Sequence, residues 1–187
     1  MAGRGNPRPN PDAAHVYLGH GAAGSAASMH PHVEGLERRG IAATAVQLPK
    51  RKAEEVVDVY RSQIQGGHPL VIGGHSFGGR VASLLAARGA DLGEGRALAG
   101  LVLLSYPLHR PGAPDLDARS AHFATIDCPV LFLSGESDPF ARIDLLRQAV
   151  GRLRSAELVS YPRLGHGLAP VLDDALDRIA KFVHVLE

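Results

Sequence analysis

Short apolar runs of four to seven residues alternate along this chain with longer segments in which apolar residues recur at helical spacing. That rhythm is the signature of strands joined by crossover helices, and it restricts the chain to a parallel sheet flanked by helices. The strand candidates are 15–18, 42–48, 70–73, 100–105, 130–134 and 157–160, most of them continuous Val/Leu/Ile runs, as strands covered on both faces require. Helical stripes lie between them: Met29, Val33, Leu36; then Ala53, Val56, Val57, Tyr60, Ile64; then Val81, Leu84, Leu85; then Ile143, Leu146, Val150, Leu153. The clearest is Leu172, Ala175, Leu176, Ile179, Val183, Leu186. The expected fold is a three-layer α/β/α sandwich around a mostly parallel sheet of about six strands. One segment breaks the pattern: 107–126, twenty residues with three prolines, reads as a long loop.

Charge and composition exclude other classes. Lys and Arg number 20 against 19 Asp and Glu, a formal net charge of +1, so the basic excess of a nucleic-acid binder is missing. Aromatics are 5% with no Trp, which leaves few rings for stacking on bases. The single cysteine, Cys128, has no partner for an internal disulfide and fits a reducing compartment. The first twelve residues, rich in Pro, Gly, Asn and Arg, lack the apolar stretch of a secretory signal and read as a disordered leader. Residues 13–187 read as one domain, cytoplasmic, with no membrane span and no nucleic-acid partner; oligomeric state is not legible.

The strongest local signal is Gly74-His75-Ser76-Phe77-Gly78, placed after a buried strand and opening a helix. This is the context of a nucleophile elbow, where a serine on a strained strand-to-helix turn needs small neighbours two positions away on each side. A serine hydroxyl is a weak nucleophile and requires a base held by an acid. On such sheets the partners follow in the order Ser, Asp or Glu, His, from loops at the ends of later strands. The run PVLFLSG leads into Glu136-Ser137-Asp138-Pro139, and ELVSYP leads into Leu164-Gly165-His166-Gly167. Asp138 is the expected acid, with Glu136 as substitute, and His166 the expected base. Asp138 also reads as the N-cap of the following helix, with Pro139 at its first position. The glycines beside His166 read as room for a pocket-facing imidazole. His30, His32 and His109 read as surface residues.

Gly19-His20-Gly21-Ala22-Ala23-Gly24 formally matches G-x-G-x-x-G, so a dinucleotide-binding loop is a rival reading. The next strand should then end in an acid to hold the ribose; it ends Val46-Gln47-Leu48. In the serine-nucleophile reading the same loop turns the Ala22 amide inward, and with the Phe77 amide it forms an oxyanion hole. His20, His75, Tyr106, Pro107 and Leu108 are the expected pocket-lining residues. A phosphate-binding Lys-Ser/Thr pair is missing after Gly79, where Arg80 and Val81 stand, and no metal-ligand spacing is present.

The motifs together resemble the α/β-hydrolase superfamily from about His15 to Leu186. The stretches GGHSFGGRVAS and GLVLLSYPLHRPG are similar to a small dienelactone-hydrolase-like branch that includes testis-expressed protein thirty. The resemblance implies a hydrolase core sheet, Ser76 as nucleophile, Asp138 as acid, His166 as base and no cofactor. Against the superfamily pattern the sequence opens at the equivalent of the third strand and carries no insert long enough for a cap, which predicts a shallow, open pocket. The expected activity is that of a serine esterase or thioesterase acting on small esters. A non-catalytic scaffold with the same fold is the alternative, since the resemblance extends to animal relatives associated with non-catalytic or unknown roles, and a peptidase or acyltransferase is a third reading.

Overall fold

A computed structural model of the chain describes residues 14–65, 69–89 and 97–187; the expected leader lies outside them. Six strands form one sheet: β1 (His15–Gly19), β2 (Ala42–Val46), β3 (Leu70–His75), β4 (Leu98–Leu104), β5 (Val130–Gly135) and β6 (Ala156–Tyr161). Their order is β2-β1-β3-β4-β5-β6, and every pairing is parallel. Helices α1 (His30–Glu37), α2 (Val57–Arg61), α3 (Phe77–Ala87), α4 (Ile143–Val150) and α5 (Leu172–Leu186) cover the two faces.

The alternation of side chains along each strand sorts the apolar runs into two cores. Val16, Leu18, Val71, Val102, Leu104, Leu131 and Leu133 meet α1 and α5 on one face. Tyr17, Leu70, Ile72, Leu101, Leu103 and Phe132 meet α2, α3 and α4 on the other. The stripe predicted for α5 buries Leu176, Ile179 and Val183 almost completely. Each such side chain is worth roughly 1.5–3 kcal/mol against remaining in water. β6, at the sheet edge, is half-covered, so the outermost strand is less apolar than the central four.

One reading changes. The stripe from Ala53 to Ile64 is a 3₁₀ turn (Ala53–Glu55) followed by the five-residue α2. Val56, Val57 and Val59 disfavour a longer helix, and Tyr60 is fixed from outside it. The Tyr60 hydroxyl lies 2.7 Å from the carbonyl oxygens of both Tyr17 and Gly73 and accepts the Gly73 N–H at 3.1 Å. The long segment 107–126 is irregular as expected, ending in a 3₁₀ turn (Ala121–Thr125).

Chain order reverses direction across the sheet between β1 and β3. The crevice beyond the carboxyl ends of strands at such a switch point is where parallel sheets place their ligands, and β3 leads directly into Ser76.

Candidate active site

Ser76 has φ 50° and ψ −112°, a strained conformation for a residue with a Cβ. Its N–H donates to the Leu104 carbonyl (2.8 Å), and the Gly78 N–H donates to the His20 carbonyl (3.0 Å), so β4 and the β1 loop clamp the turn from both sides. The elbow glycines are steric necessities. A Cβ on Gly74 would stand 2.4 Å from the Gly19 carbonyl oxygen, and one on Gly78 would stand 2.2 Å from it.

His166 Nε2 lies 2.8 Å from Ser76 Oγ, and His166 Nδ1 lies 2.8 Å from Asp138 Oδ2. With its proton on Nδ1, directed at the carboxylate, the imidazole leaves Nε2 free to accept from the serine hydroxyl. The Asp138 side chain is fully buried while His166 remains 24% exposed, so the chain of hydrogen bonds runs from the interior to an accessible hydroxyl. Phe140 packs on the imidazole with ring centroids 4.5 Å apart. His75 Nε2 lies 3.1 Å from the His166 carbonyl oxygen, where its N–H donates and holds that backbone. Burial lowers the His75 pKa, and the hydrogen bond to the His166 carbonyl opposes that shift.

Asp138 does not cap a helix; α4 begins only at Ile143, behind Arg142. Its Oδ1 instead accepts the Phe140 N–H at 2.8 Å, closing a tight turn. Glu136, the alternative acid, is turned away: it accepts from the Ser160 hydroxyl (2.7 Å) and pairs with Arg147 (3.5 Å). The glycines beside His166 are not needed for space, since a Cβ on Gly165 or Gly167 would meet nothing within 4 Å. The close approach falls on Gly135 at the end of β5, where a Cβ would stand 2.2 Å from the Leu164 carbonyl oxygen. Ser137 N–H donates to that same carbonyl at 2.9 Å, stitching the acid loop to the histidine loop.

Ala22 and Phe77, the expected amide donors, border one hollow of about 210 Å³ together with His20, Leu48 and Pro49. The Phe77 N–H, in the first turn of α3, has no acceptor within its helix. His20 is buried and braces this loop: Nδ1 donates to the Gly21 carbonyl (2.8 Å) and Nε2 accepts the Leu48 N–H (3.0 Å). The Ala26 N–H is taken by Gln47 Oε1 (2.8 Å), and the chain enters a 3₁₀ turn (Ala26–Met29). The glycine-rich loop thus does not open directly into a helix N-terminus of the kind that cradles pyrophosphate.

Tyr106, Pro107 and Leu108 do not line an open pocket as expected; all three are buried. Tyr106 sits among Phe123 and Phe132, and its hydroxyl donates to the Arg119 carbonyl at 2.5 Å. The strand β4 carries its apolar alternation past its own end, so these residues continue the core. His109 is also buried rather than superficial: its Nε2 accepts the Arg142 N–H (2.9 Å) and its backbone N–H donates to the Phe140 carbonyl (2.9 Å). His32 is half-buried, its Nδ1 without a partner. Phe140, His109 and Gly135 support the site without any local sequence signal beyond their closeness to Asp138 or to the end of β4. Among the described residues, no group of three or more His, Cys, Asp or Glu is placed to hold a metal.

A family model described as an alpha/beta hydrolase domain matches residues 12–178. The chain belongs to the alpha/beta hydrolase family. Solved structures similar to this alpha/beta hydrolase include a monoacylglycerol lipase from Paleococcus ferrophilus, at 14% identity and TM-score 0.76, over 94% of this chain and 97% of that one. A dienelactone hydrolase from Anabaena variabilis is 20% identical with TM-score 0.65, covering 95% and 87%. A type II thioesterase, BorB from the borrelidin biosynthetic cluster, is 21% identical with TM-score 0.70, covering 94% and 95%. At these identities the likeness is one of fold.

Proposed function

We propose that this alpha/beta hydrolase cleaves small carboxylic esters or thioesters through an acyl-enzyme on Ser76. The observation that carries the reading is the continuous hydrogen-bonded chain Asp138–His166–Ser76, ending on a strained serine. The names of the similar structures, a monoacylglycerol lipase, a dienelactone hydrolase and a type II thioesterase, support the same classes of bond. Ser76 Oγ attacks the acyl carbon as its proton passes to His166 Nε2, and the carbonyl oxygen becomes an oxyanion facing the Phe77 and Ala22 amides. Each such donor is typically worth about 3 kcal/mol in the transition state. Collapse breaks the bond to the alcohol or thiol, which leaves with the proton from His166. Water then attacks the acyl-serine, His166 takes its proton, and the acid departs as Ser76 is restored. Asp138 holds the imidazole tautomer throughout. The thiol Cys128 is no competitor for the nucleophile: burial pushes it up to about 11.

Ser76→Ala is expected to lower the hydrolysis of 4-nitrophenyl acetate by about a thousandfold or more, with a melting temperature near that of the parent. A fluorophosphonate probe should label the parent stoichiometrically and leave the variant unlabelled. Equal hydrolysis by the two proteins rejects the serine mechanism; absence of labelling and turnover in the parent supports the scaffold alternative.

A further inference from the structure

A second cavity, of about 380 Å³, is lined by Arg80 of the elbow helix together with His109, Arg110, Asp115 and Arg119. Two of its lining residues are linked to the backbone beside the triad. The backbone N–H of Arg80 donates to the Ser76 carbonyl four residues back (3.0 Å), about 6 Å along the helix axis. On the opposite wall, His109 is bonded to the backbone of Phe140, whose ring packs on His166.

The charges in this cavity are poorly compensated. Arg80 is paired with Glu54, yet its side chain is only 21% exposed and its Nε is buried without a partner. Arg119 is half-buried, its guanidinium donating only to the Pro107 carbonyl (3.0 Å). Among the described residues neither Arg110 nor Arg119 has a carboxylate within ion-pair distance. The one acid in the lining, Asp115, turns Oδ1 to the backbone N–H groups of Asp117 (2.8 Å) and Ala118 (3.1 Å). Burial and the Arg80 charge both lower the pKa of Arg119, and the same two causes bring His122 down to about 4. The half-buried guanidinium groups of Arg80 and Arg119 and the exposed one of Arg110 share this lining; they repel one another and leave donors unused unless an anion enters. Their planar forks suit a carboxylate or phosphate oxygen set.

We propose that this cavity is a substrate subsite that holds an anionic group, carboxylate or phosphate, of the ester whose acyl carbon reaches Ser76. The subsite deepens the hydrolase reading and rests on it, naming the substrate class as acidic esters or thioesters. Arg110 and Arg119 supply the charge-assisted hydrogen bonds, and Arg80 joins the subsite to the elbow.

The test compares kcat/KM within matched pairs: mono-4-nitrophenyl glutarate against 4-nitrophenyl valerate, 4-acetoxybenzoate against phenyl acetate, and 4-acetoxyphenyl phosphate against phenyl acetate. The pairs separate an acyl-side carboxylate, an alcohol-side carboxylate and a phosphate. In at least one pair the anionic ester should be favoured about tenfold or more, and Arg110→Gln or Arg119→Gln should bring that ratio down by about tenfold, the loss expected for one charge-assisted bond. Arg110 is exposed, so its replacement does not endanger folding. Arg163→Gln, outside the cavity, should keep the ratio. Ratios near one in all three pairs, or ratios unchanged in both cavity variants, overturn the subsite while leaving the hydrolase reading intact. If no ester is turned over, calorimetric titration with glutarate and with inorganic phosphate decides. Saturable binding that Arg110→Gln weakens supports the anion site without the hydrolase; no binding of either anion overturns it.

Discussion

Asp138 divides its two carboxylate oxygens between a turn and an imidazole: Oδ1 takes the Phe140 N–H and Oδ2 faces His166 Nδ1, both at 2.8 Å. The two contacts have different consequences when the residue changes. Asp138→Asn keeps an oxygen for the turn but removes the negative charge that favours the Nδ1–H tautomer. Ester hydrolysis should fall by about 10³- to 10⁴-fold with little change in melting temperature. Asp138→Ala should lose activity to a similar extent and in addition destabilise the fold by about 1–3 kcal/mol, because the Phe140 N–H loses its acceptor. Steady-state kinetics paired with thermal unfolding of the two variants separates these effects; equal melting temperatures would show that the turn contact contributes nothing.

At the scale of elements, the histidine loop is held by the acid loop rather than by its own sequence. Gly135 lets the Leu164 and Gly165 carbonyls pass against the end of β5, and Ser137 N–H binds the first of them. Gly135→Ala forces a Cβ into space already filled by backbone, so an overpacking loss of about 1–3 kcal/mol is expected. A fall in kcat should accompany it as His166 is displaced from Ser76. Gly165→Ala faces open space and should stay within about 0.5 kcal/mol of the parent in denaturant unfolding. The contrast locates the steric constraint thirty residues upstream of the glycine that stands next to His166.

Among the described residues, burial holds the imidazoles of His15, His32, His75 and His122 below their ordinary range, two of them far below it. His32 and His122 are both lowered to about 4; the positive field of Arg80 adds to burial at His122, and His75 does so at His32. In the unfolded chain both titrate near 6.5, so on acidification the unfolded state takes up protons first. Their contribution to stability is complete above about pH 6.5 and is lost progressively as pH falls toward 4. The melting temperature should therefore decline over that window, and His122→Gln should decline less steeply than the parent. Parallel curves for the two proteins would show that His122 does not carry this linkage. Near neutral pH no such loss is expected, which leaves the activity profile to the groups around Ser76.

The sequence by itself determined the layer architecture and the parallel sheet, because the alternation of apolar runs and helical stripes leaves no other way to bury both faces. It also marked Ser76, Asp138 and His166, since an elbow needs its glycines and its partners follow strand ends in a fixed order. What it left open was decided by contacts between segments far apart in the chain. Whether Glu136 or Asp138 faces the imidazole depends on which way the turn after β5 folds. Tyr106 and Leu108 are core rather than pocket wall because the helices close over the continuation of β4, and His109 is a brace because the acid loop docks on it. Arg80, Arg110 and Arg119, spread over forty residues, share one cavity only once α3 and the loop after β4 are packed side by side. Local periodicity reports which face of an element is covered; only the packed structure reports what covers it.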